Sequence, residues 1–199
     1  VTLTDGKSQM LVASYNGKVV RFPEETIRPM GRTASGVRAI KLDEDGKDCV
    51  VGMICVEEGS KDTVLVISNK GYGKRTALDD ESGEPIYRIT NRGGKGVCCH
   101  NITDKTGLLA SIASVSETDD IMLMTSEGTM IRMAAGEIPV YRRSAGGVIV
   151  MRTAGEAKVA SFTVIANENI EIDESEAAEK AEVAAEVVEA PTTEGESEA

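Results

Sequence analysis

The sequence contains no tryptophan, only two phenylalanines and four tyrosines, and a single histidine, His100. So few aromatic side chains argue against a single-strand nucleic-acid binder, which stacks bases on aromatic rings. One histidine leaves no second imidazole for an acid–base pair, and no Ser–His–Asp spacing stands out, so we expect no catalytic residue. No apolar run approaches the roughly 20 residues of a membrane helix, so we expect no membrane partner.

Cysteine is also sparse, and its spacing matters more than its number. Cys49, Cys55, Cys98 and Cys99 form no C-x-x-C pair. Adjacent residues of a strand point to opposite faces, so we predict no metal site at Cys98, Cys99 and His100. Reduced, mostly buried thiols in a cytoplasmic protein are the favoured interpretation. The chain begins at Val1 without an initiator methionine, and we interpret it as part of a longer protein.

Negative charge is concentrated at one end of the chain. The net charge is −11, and residues 167–199 hold twelve acidic residues and one basic residue. Residues 1–166 therefore carry 21 acids and 21 bases, which balance. The acidic tail, 167–199, lacks aromatic residues and repels itself, so we expect it to be disordered. We further predict that it competes with a polyanion for the basic surface described below, so that its removal tightens binding at low salt.

The remaining residues repeat one pattern three times. A glycine is followed four residues later by an arginine at Gly17 and Arg21, Gly71 and Arg75, and Gly128 and Arg132. Each pair follows a short apolar run, at 10–14, 64–68 and 121–125. A Gly-Val turn and a further apolar run complete each unit. Short runs rich in Val, Ile and Met, bounded by turn residues such as Asn16-Gly17, are typical of strands and hairpins.

The repeat predicts an all-β, propeller-like array of four-stranded blades. We expect blades at 9–61, 62–118 and 119–166. Residues 1–8 resemble the end of a preceding blade, with Asp5-Gly6 as a turn, and 167–199 is the acidic tail.

Positive charge follows the repeat too. Residues 18–41, 70–95 and 127–152 hold 16 of the 21 bases outside the tail and only 8 of the 21 acids. We predict a basic rim that binds the phosphates of duplex DNA without reading sequence, because phosphate contacts carry no sequence information directly. The candidate DNA-binding residues are Lys18, Arg21, Arg28, Arg32, Arg38, Lys41, Lys70, Lys74, Arg75, Arg88, Arg92, Lys95, Arg132, Arg142, Arg143 and Arg152. The alternative for any single cation is ordinary solvation on an exposed strand.

Three stretches closely resemble the C-terminal domain of DNA gyrase A, a member of the type IIA topoisomerase family. They are "MLVASYNGKVVRFPEETIRPMGRTASGVRAIKL", "SNKGYGKRTALDD" and "IMLMTSEGTMIRMAAGEIPVYRRSAGGVIVMRT". The resemblance covers residues 1–166 and implies a six-bladed β-pinwheel whose blades exchange a strand, with about three blades present. The family's wrapping box, Q-R-R-G-G-K-G, is only echoed by "TNRGGKG" at 90–96, which we interpret as an ordinary phosphate-facing loop.

The resemblance implies that duplex DNA wraps on the rim and that the holoenzyme then introduces negative supercoils. It implies partners in a heterotetramer, namely the rest of gyrase A together with gyrase B, in the bacterial cytoplasm at the nucleoid. ATP and Mg²⁺ would be used elsewhere in that assembly, and no cofactor is expected here. Two alternatives stay open: the related C-terminal domain of topoisomerase IV, which positions DNA, and a propeller used for protein interaction.

Overall fold

The computed structural model describes residues 2–44, 46–57 and 59–167, and in these ranges the chain is built from strands. The strands are β1 (Gln9–Ser14), β2 (Lys18–Pro23), β3 (Val50–Val56), β4 (Thr63–Ser68), β5 (Tyr72–Ala77), β6 (Val97–Cys98), β7 (Leu109–Val115), β8 (Asp120–Thr125), β9 (Met130–Ala134), β10 (Val148–Ile149) and β11 (Val159–Ile165). Single 3₁₀ turns follow β2 at Glu24–Thr26 and β9 at Ala135–Glu137. The all-β prediction is confirmed. Apart from Asn167, the acidic tail lies outside the described residues.

Each repeat contributes a hairpin and a returning strand to one antiparallel sheet. The first sheet has the order β3-β1-β2-β6, the second β10-β5-β4-β7 and the third β11-β8-β9. The short strand at the end of the first sheet, β6, comes from the second repeat and pairs Val97 with Val19. In the same way β10 leaves the third repeat and pairs Val148 with Gly73 in the second sheet. Neighbouring repeats therefore exchange a strand.

The hairpin glycines make this exchange possible. Gly71 turns the β4–β5 hairpin with a φ of +76°, a conformation that glycine adopts without steric cost. The exchanged segment passes so close that a Cβ on Gly71 would lie 1.9 Å from the carbonyl oxygen of Met151. The Gly71 carbonyl accepts a hydrogen bond of 2.8 Å from the amide of Val150. Gly17 does the same in the first repeat, where its carbonyl accepts from the amide of Cys99 at 2.8 Å.

The hydrophobic core lies between the sheets. Alternate residues of a strand face opposite sides. Val64 and Val66 of β4 pack in a cluster shared with the first sheet, whereas Leu65 and Ile67 pack in a cluster shared with the third. The middle sheet is thus buried on both faces. A third, smaller cluster around Phe22 covers the other face of the first sheet.

The two ends of the array differ from its middle. Among the described residues the third sheet has three strands, and β9 pairs only with β8. The first residue of β9, Met130, is 60% exposed. At the other end, residues 2–8 contain no strand. There the Asp5 carboxylate forms a turn by accepting hydrogen bonds from the amides of Lys7 and Ser8. The backbone and hydroxyl donors hold the pKa of Asp5 below its usual value.

Candidate nucleic-acid interface

Three of the sixteen candidate cations lie inside the protein. Arg21, Lys74 and Arg75 are 6%, 0% and 5% exposed, and all three lie on the second strand of a hairpin. A phosphate group cannot reach a side chain buried to this extent. A buried charge is tolerated only when hydrogen bonds and ion pairs replace its hydration, so their partners define what these residues do.

Arg21 joins the first repeat to the second. Its Nε donates to Oε1 of Gln9 at 2.6 Å, and its Nη1 donates to the carbonyl of Leu78 at 3.3 Å. The same Nη1 lies 3.6 Å from Oδ1 of Asp79. Leu78 and Asp79 belong to the second repeat, so the guanidinium connects neighbouring repeats.

Arg75 makes the equivalent connection from the second repeat to the third. Its Nε donates to the carbonyl of Ile138 at 2.7 Å and its Nη2 to the carbonyl of Gly136 at 3.2 Å. Glu117 is a more distant partner, with 4.0 Å between its Oε1 and Nη2. The guanidinium therefore supplies donors to the turn that follows β9.

Lys74 lies beside this connection. Its ammonium donates to the carbonyls of Arg142 (2.7 Å) and Arg143. Burial lowers the pKa of Lys74 to about 8. Lys74 therefore supports the backbone from which the Arg142 and Arg143 side chains project, instead of facing solvent itself.

Arg132 lies at the same position of the third repeat, and no further repeat follows it among the described residues. Its side chain is 57% exposed, and Nε and Nη2 donate to Oδ2 of Asp120 at 2.8 and 2.6 Å. At two of its three recurrences, Arg21 and Arg75, the Gly-to-Arg spacing thus supplies an arginine that connects neighbouring repeats. Recurrence alone does not mark a DNA contact at these positions.

Other candidate cations meet on the surface where the first two repeats join. Lys95 shares one depression with Arg88 and another with Lys41, and Lys41 shares a third with Arg38. We call Arg38, Lys41, Arg88 and Lys95 the basic band; all four are exposed. Asp43 and Glu44 border it, and Glu44 lies 3.3 Å from the Lys41 ammonium.

Backbone hydrogen bonds between two loops hold the band together. The amide of Lys41 donates to the carbonyl of Gly94 at 2.8 Å, and that of Gly93 donates to Ala39 at 2.6 Å. Arg92 adds a bond from Nε to the carbonyl of Thr26 at 3.3 Å. The band is therefore formed by two loops far apart in sequence, through the same contact that links the repeats.

The remaining candidates are not gathered into the band. Lys18, Arg28, Arg32 and Arg142 are exposed, and Arg143 is half-buried with Nη1 donating to the carbonyl of Cys98 at 3.1 Å. Lys70 and Arg152 line a separate cleft together with Lys105 and Lys158. Sequence reasoning missed Lys105 and Lys158, because both lie outside the segments in which bases recur.

The Cys98–His100 segment is packed against the interior. Cys99 and His100 are 0% and 1% exposed, and burial raises the pKa of the Cys99 thiol to about 12. Neither ring nitrogen of His100 has a hydrogen-bond partner in the described part of the chain. Burial and the nearby Lys74 ammonium lower the pKa of His100 to about 4. No cluster of three or more His, Cys, Asp or Glu side chains suited to a metal ion occurs in residues 2–44, 46–57 and 59–167.

A row of antiparallel sheets, the first two of which are each completed by a strand from the next repeat, defines a strand-exchanged relative of the β-propellers. A family model described as the DNA gyrase C-terminal domain, a beta-propeller, matches residues 9–57, 62–116 and 119–166. The chain belongs to this family. No helix within the described ranges has the length and apolar character needed to cross a membrane.

Individual relatives agree with the family. The DNA gyrase A protein of Staphylococcus aureus strain MRSA252 is 38% identical over 176 residues, covering 88% of this chain and 19% of that protein. The chain thus spans about a fifth of that relative's length. A topoisomerase IV C-terminal domain matches with a TM-score of 0.74 and 21% identity, covering 84% of this chain and 49% of the other. A DNA gyrase A C-terminal domain gives a TM-score of 0.70 and 24% identity, with coverages of 82% and 52%. These two likenesses show the fold.

Proposed function

We propose that this chain binds duplex DNA through its phosphates, without sequence preference, and wraps it as the C-terminal domain of a DNA gyrase A protein. The observation that carries the proposal is the basic band, which lies across the contact between two repeats in a chain of this family. Exposed cations release condensed counterions when they meet phosphates, so binding of this kind weakens steeply with salt.

The rest of the surface offers little for reading bases. The helical segments of the described ranges are two 3₁₀ turns of three residues each, which are too short to enter a major groove. Both phenylalanines and Tyr87 are buried, and of the tyrosines Tyr141 is the most exposed, at 42%. Single-strand stacking is therefore disfavoured. Bending a duplex of 20–30 bp costs on the order of 1–6 kcal/mol, which several phosphate contacts can offset.

The wider assembly belongs to the same proposal. In it, this domain acts with the rest of gyrase A and with gyrase B in a heterotetramer, in the bacterial cytoplasm on the chromosome. Other domains of the assembly would cleave DNA and would use ATP and Mg²⁺. This chain would wrap the DNA segment that is needed for negative supercoiling. The 38% identity to a DNA gyrase A protein supports this assignment.

Topoisomerase IV is the second candidate. Its C-terminal domain gives the TM-score of 0.74 reported above, against 0.70 for the gyrase domain. At 21% and 24% identity these values describe the fold only, and the relative with 38% identity favours gyrase. The two candidates differ in whether bound DNA is wrapped with a fixed handedness.

Salt-dependent binding tests the proposal directly. Anisotropy of two unrelated labelled duplexes of about 30 bp would be followed between about 50 and 200 mM salt. The double variant Arg88→Gln/Lys95→Gln should bind both duplexes more weakly, and to the same extent. It should also make the slope of log K against log salt shallower by about 2. Lys61→Gln is the control, because Lys61 is exposed in the acidic turn before β4. Duplex affinity that does not change with salt concentration would favour the protein-interaction alternative. So would a double variant whose affinity and salt slope equal those of Lys61→Gln.

A further inference from the structure

A second basic cleft lies where the third repeat crosses the β4–β5 hairpin. It has a volume of about 640 Å³. Lys70, Lys105 and the ring of Tyr72 line it from the second repeat, and Arg152, Glu156 and Lys158 line it from the third. Four cations face one carboxylate in this space.

The walls of the cleft are fixed by backbone contacts. The amide of Val159 donates to the carbonyl of Asn69 at 2.9 Å, and Val150 donates to Gly71. The Lys70 ammonium donates to the carbonyl of Asp104. The Lys105 ammonium lies 5.9 Å from the centre of the Tyr72 ring, within the range of a cation–π contact, and both residues line the cleft. The cations therefore converge because the repeats are docked.

The equivalent junction between the first and second repeats carries fewer cations, although aligning Gly17 with Gly71 places the exposed Lys18 at the position of Tyr72. Aligning the hairpin glycines places Asn16 at the position of Lys70, and aligning Val97 with Val148 places Asn101 at the position of Arg152. Leu108 corresponds to Lys158, since their carbonyls accept from the equivalent amides of Asn69 and Ser126.

Carboxylates occupy that earlier junction instead. The backbone amide of Asn16 donates to Oδ1 of Asp48 at 3.0 Å, and the side-chain Nδ2 of Asn16 donates to Oδ2 of Asp43 at 2.7 Å. Three of the four cations of the later cleft, Lys70, Arg152 and Lys158, therefore have no cation at the equivalent position of the earlier junction. Like charges brought together by a fixed scaffold repel one another unless an anion joins them.

We propose that this cleft binds phosphodiester groups of the duplex, as a contact separate from the basic band. The proposal rests on the proposed function and adds Lys105 and Lys158 to the residues that meet DNA. A phosphate oxygen accepts hydrogen bonds from several ammonium and guanidinium donors at once, and the cleft supplies both kinds. Glu156 also lines the cleft, and its carboxylate repels carboxylate and phosphate ligands alike. We therefore expect the cleft to select anions by their charge.

The test uses the double variant Lys105→Gln/Lys158→Gln in the 199-residue chain, with Lys61→Gln as control. We expect the slope of log K against log salt for duplex binding to become shallower by about 2 in the double variant and to stay unchanged in the control. A slope equal to that of the unaltered chain overturns the cleft proposal. In that case a shallower slope in Arg88→Gln/Lys95→Gln shows that the proposed function still stands. If the unaltered chain binds no duplex, both proposals fail.

A second measurement needs no substitution. Lysines of the unaltered chain are acetylated with and without duplex, and the modified sites are located by mass spectrometry. Protection of Lys105 and Lys158 by the duplex, but not of Lys61, supports the proposal. Inorganic pyrophosphate is the competing probe: equal protection by pyrophosphate at a concentration matched in phosphate overturns the assignment to DNA and points to a free phosphate compound. Absence of protection by the duplex overturns it as well.

Discussion

Replacing Arg75 by methionine tests whether the recurring arginine connects repeats or contacts DNA. Methionine keeps much of the buried aliphatic volume but removes the donors to the carbonyls of Ile138 and Gly136. Hydrogen bonds from charged groups contribute about 1.5–3 kcal/mol each, and a buried acceptor that loses its donor costs about as much. Relief of the cost of burying the guanidinium offsets part of this loss. We therefore expect Arg75→Met to lower the free energy of unfolding by about 3 kcal/mol.

The chain supplies its own matched control in Arg132. Arg132→Met removes a cation from the same repeat position, but here the guanidinium is largely exposed and pairs with Asp120. Exposed ion pairs contribute about 0–1 kcal/mol, so this variant should be close to the unaltered chain in stability. Urea unfolding followed by far-ultraviolet circular dichroism measures both, with the m-value checked for constancy.

Duplex binding by the folded variants separates the two interpretations. At a temperature where Arg75→Met is folded, its affinity for duplex and its salt slope should match those of the unaltered chain. A variant as stable as Arg132→Met, or one that keeps its stability and loses about 1 unit of salt slope, would refute the structural role.

Two further predictions concern the interior. Because the pKa of His100 is lowered to about 4, the unfolded chain binds more protons than the folded chain between there and about pH 6.5. Stability should therefore fall by about 3 kcal/mol as the pH drops through this window, and His100→Leu should remove that part of the dependence seen in urea unfolding. Gly71→Ala should disrupt β10, since the added Cβ meets the Met151 carbonyl, whereas Gly128→Ala meets nothing within 4 Å and should cost only the strain of its positive φ. Equal losses in thermal stability for the two alanine variants would contradict the strand-exchange account.

The hairpins could be predicted from the sequence because their signals are local. The apolar runs at 10–14, 64–68 and 121–125 lie within β1, β4 and β8, and each is followed by a glycine turn. Strand exchange has no such local signal. A two-residue strand such as β6 carries no periodicity, and its partner in β2 is far away in sequence, so only the resemblance to a known family indicated it.

The site was harder to predict than the fold for a physical reason. A cation at a repeated position is expected both where each repeat binds the same ligand and where each repeat binds its neighbour. Arg75 is buried and donates hydrogen bonds to the carbonyls of Ile138 and Gly136 in the third repeat, and the residues next to Arg75 in the sequence do not indicate this contact. Lys105 and Lys158 were missed for the opposite reason, since their cleft departs from the repeat. Only the folded chain places them beside Lys70 and Arg152.

Under the proposed function, bound DNA is wrapped with one handedness. A nicked circular duplex would be incubated with the chain, sealed by ligase, and stripped of protein before its linking number is measured. Wrapping predicts a shift of constant sign that grows with the amount of protein and shrinks in Arg88→Gln/Lys95→Gln. An unshifted distribution, under conditions where the chain is bound to the same circle, would contradict wrapping and favour a domain that only positions DNA.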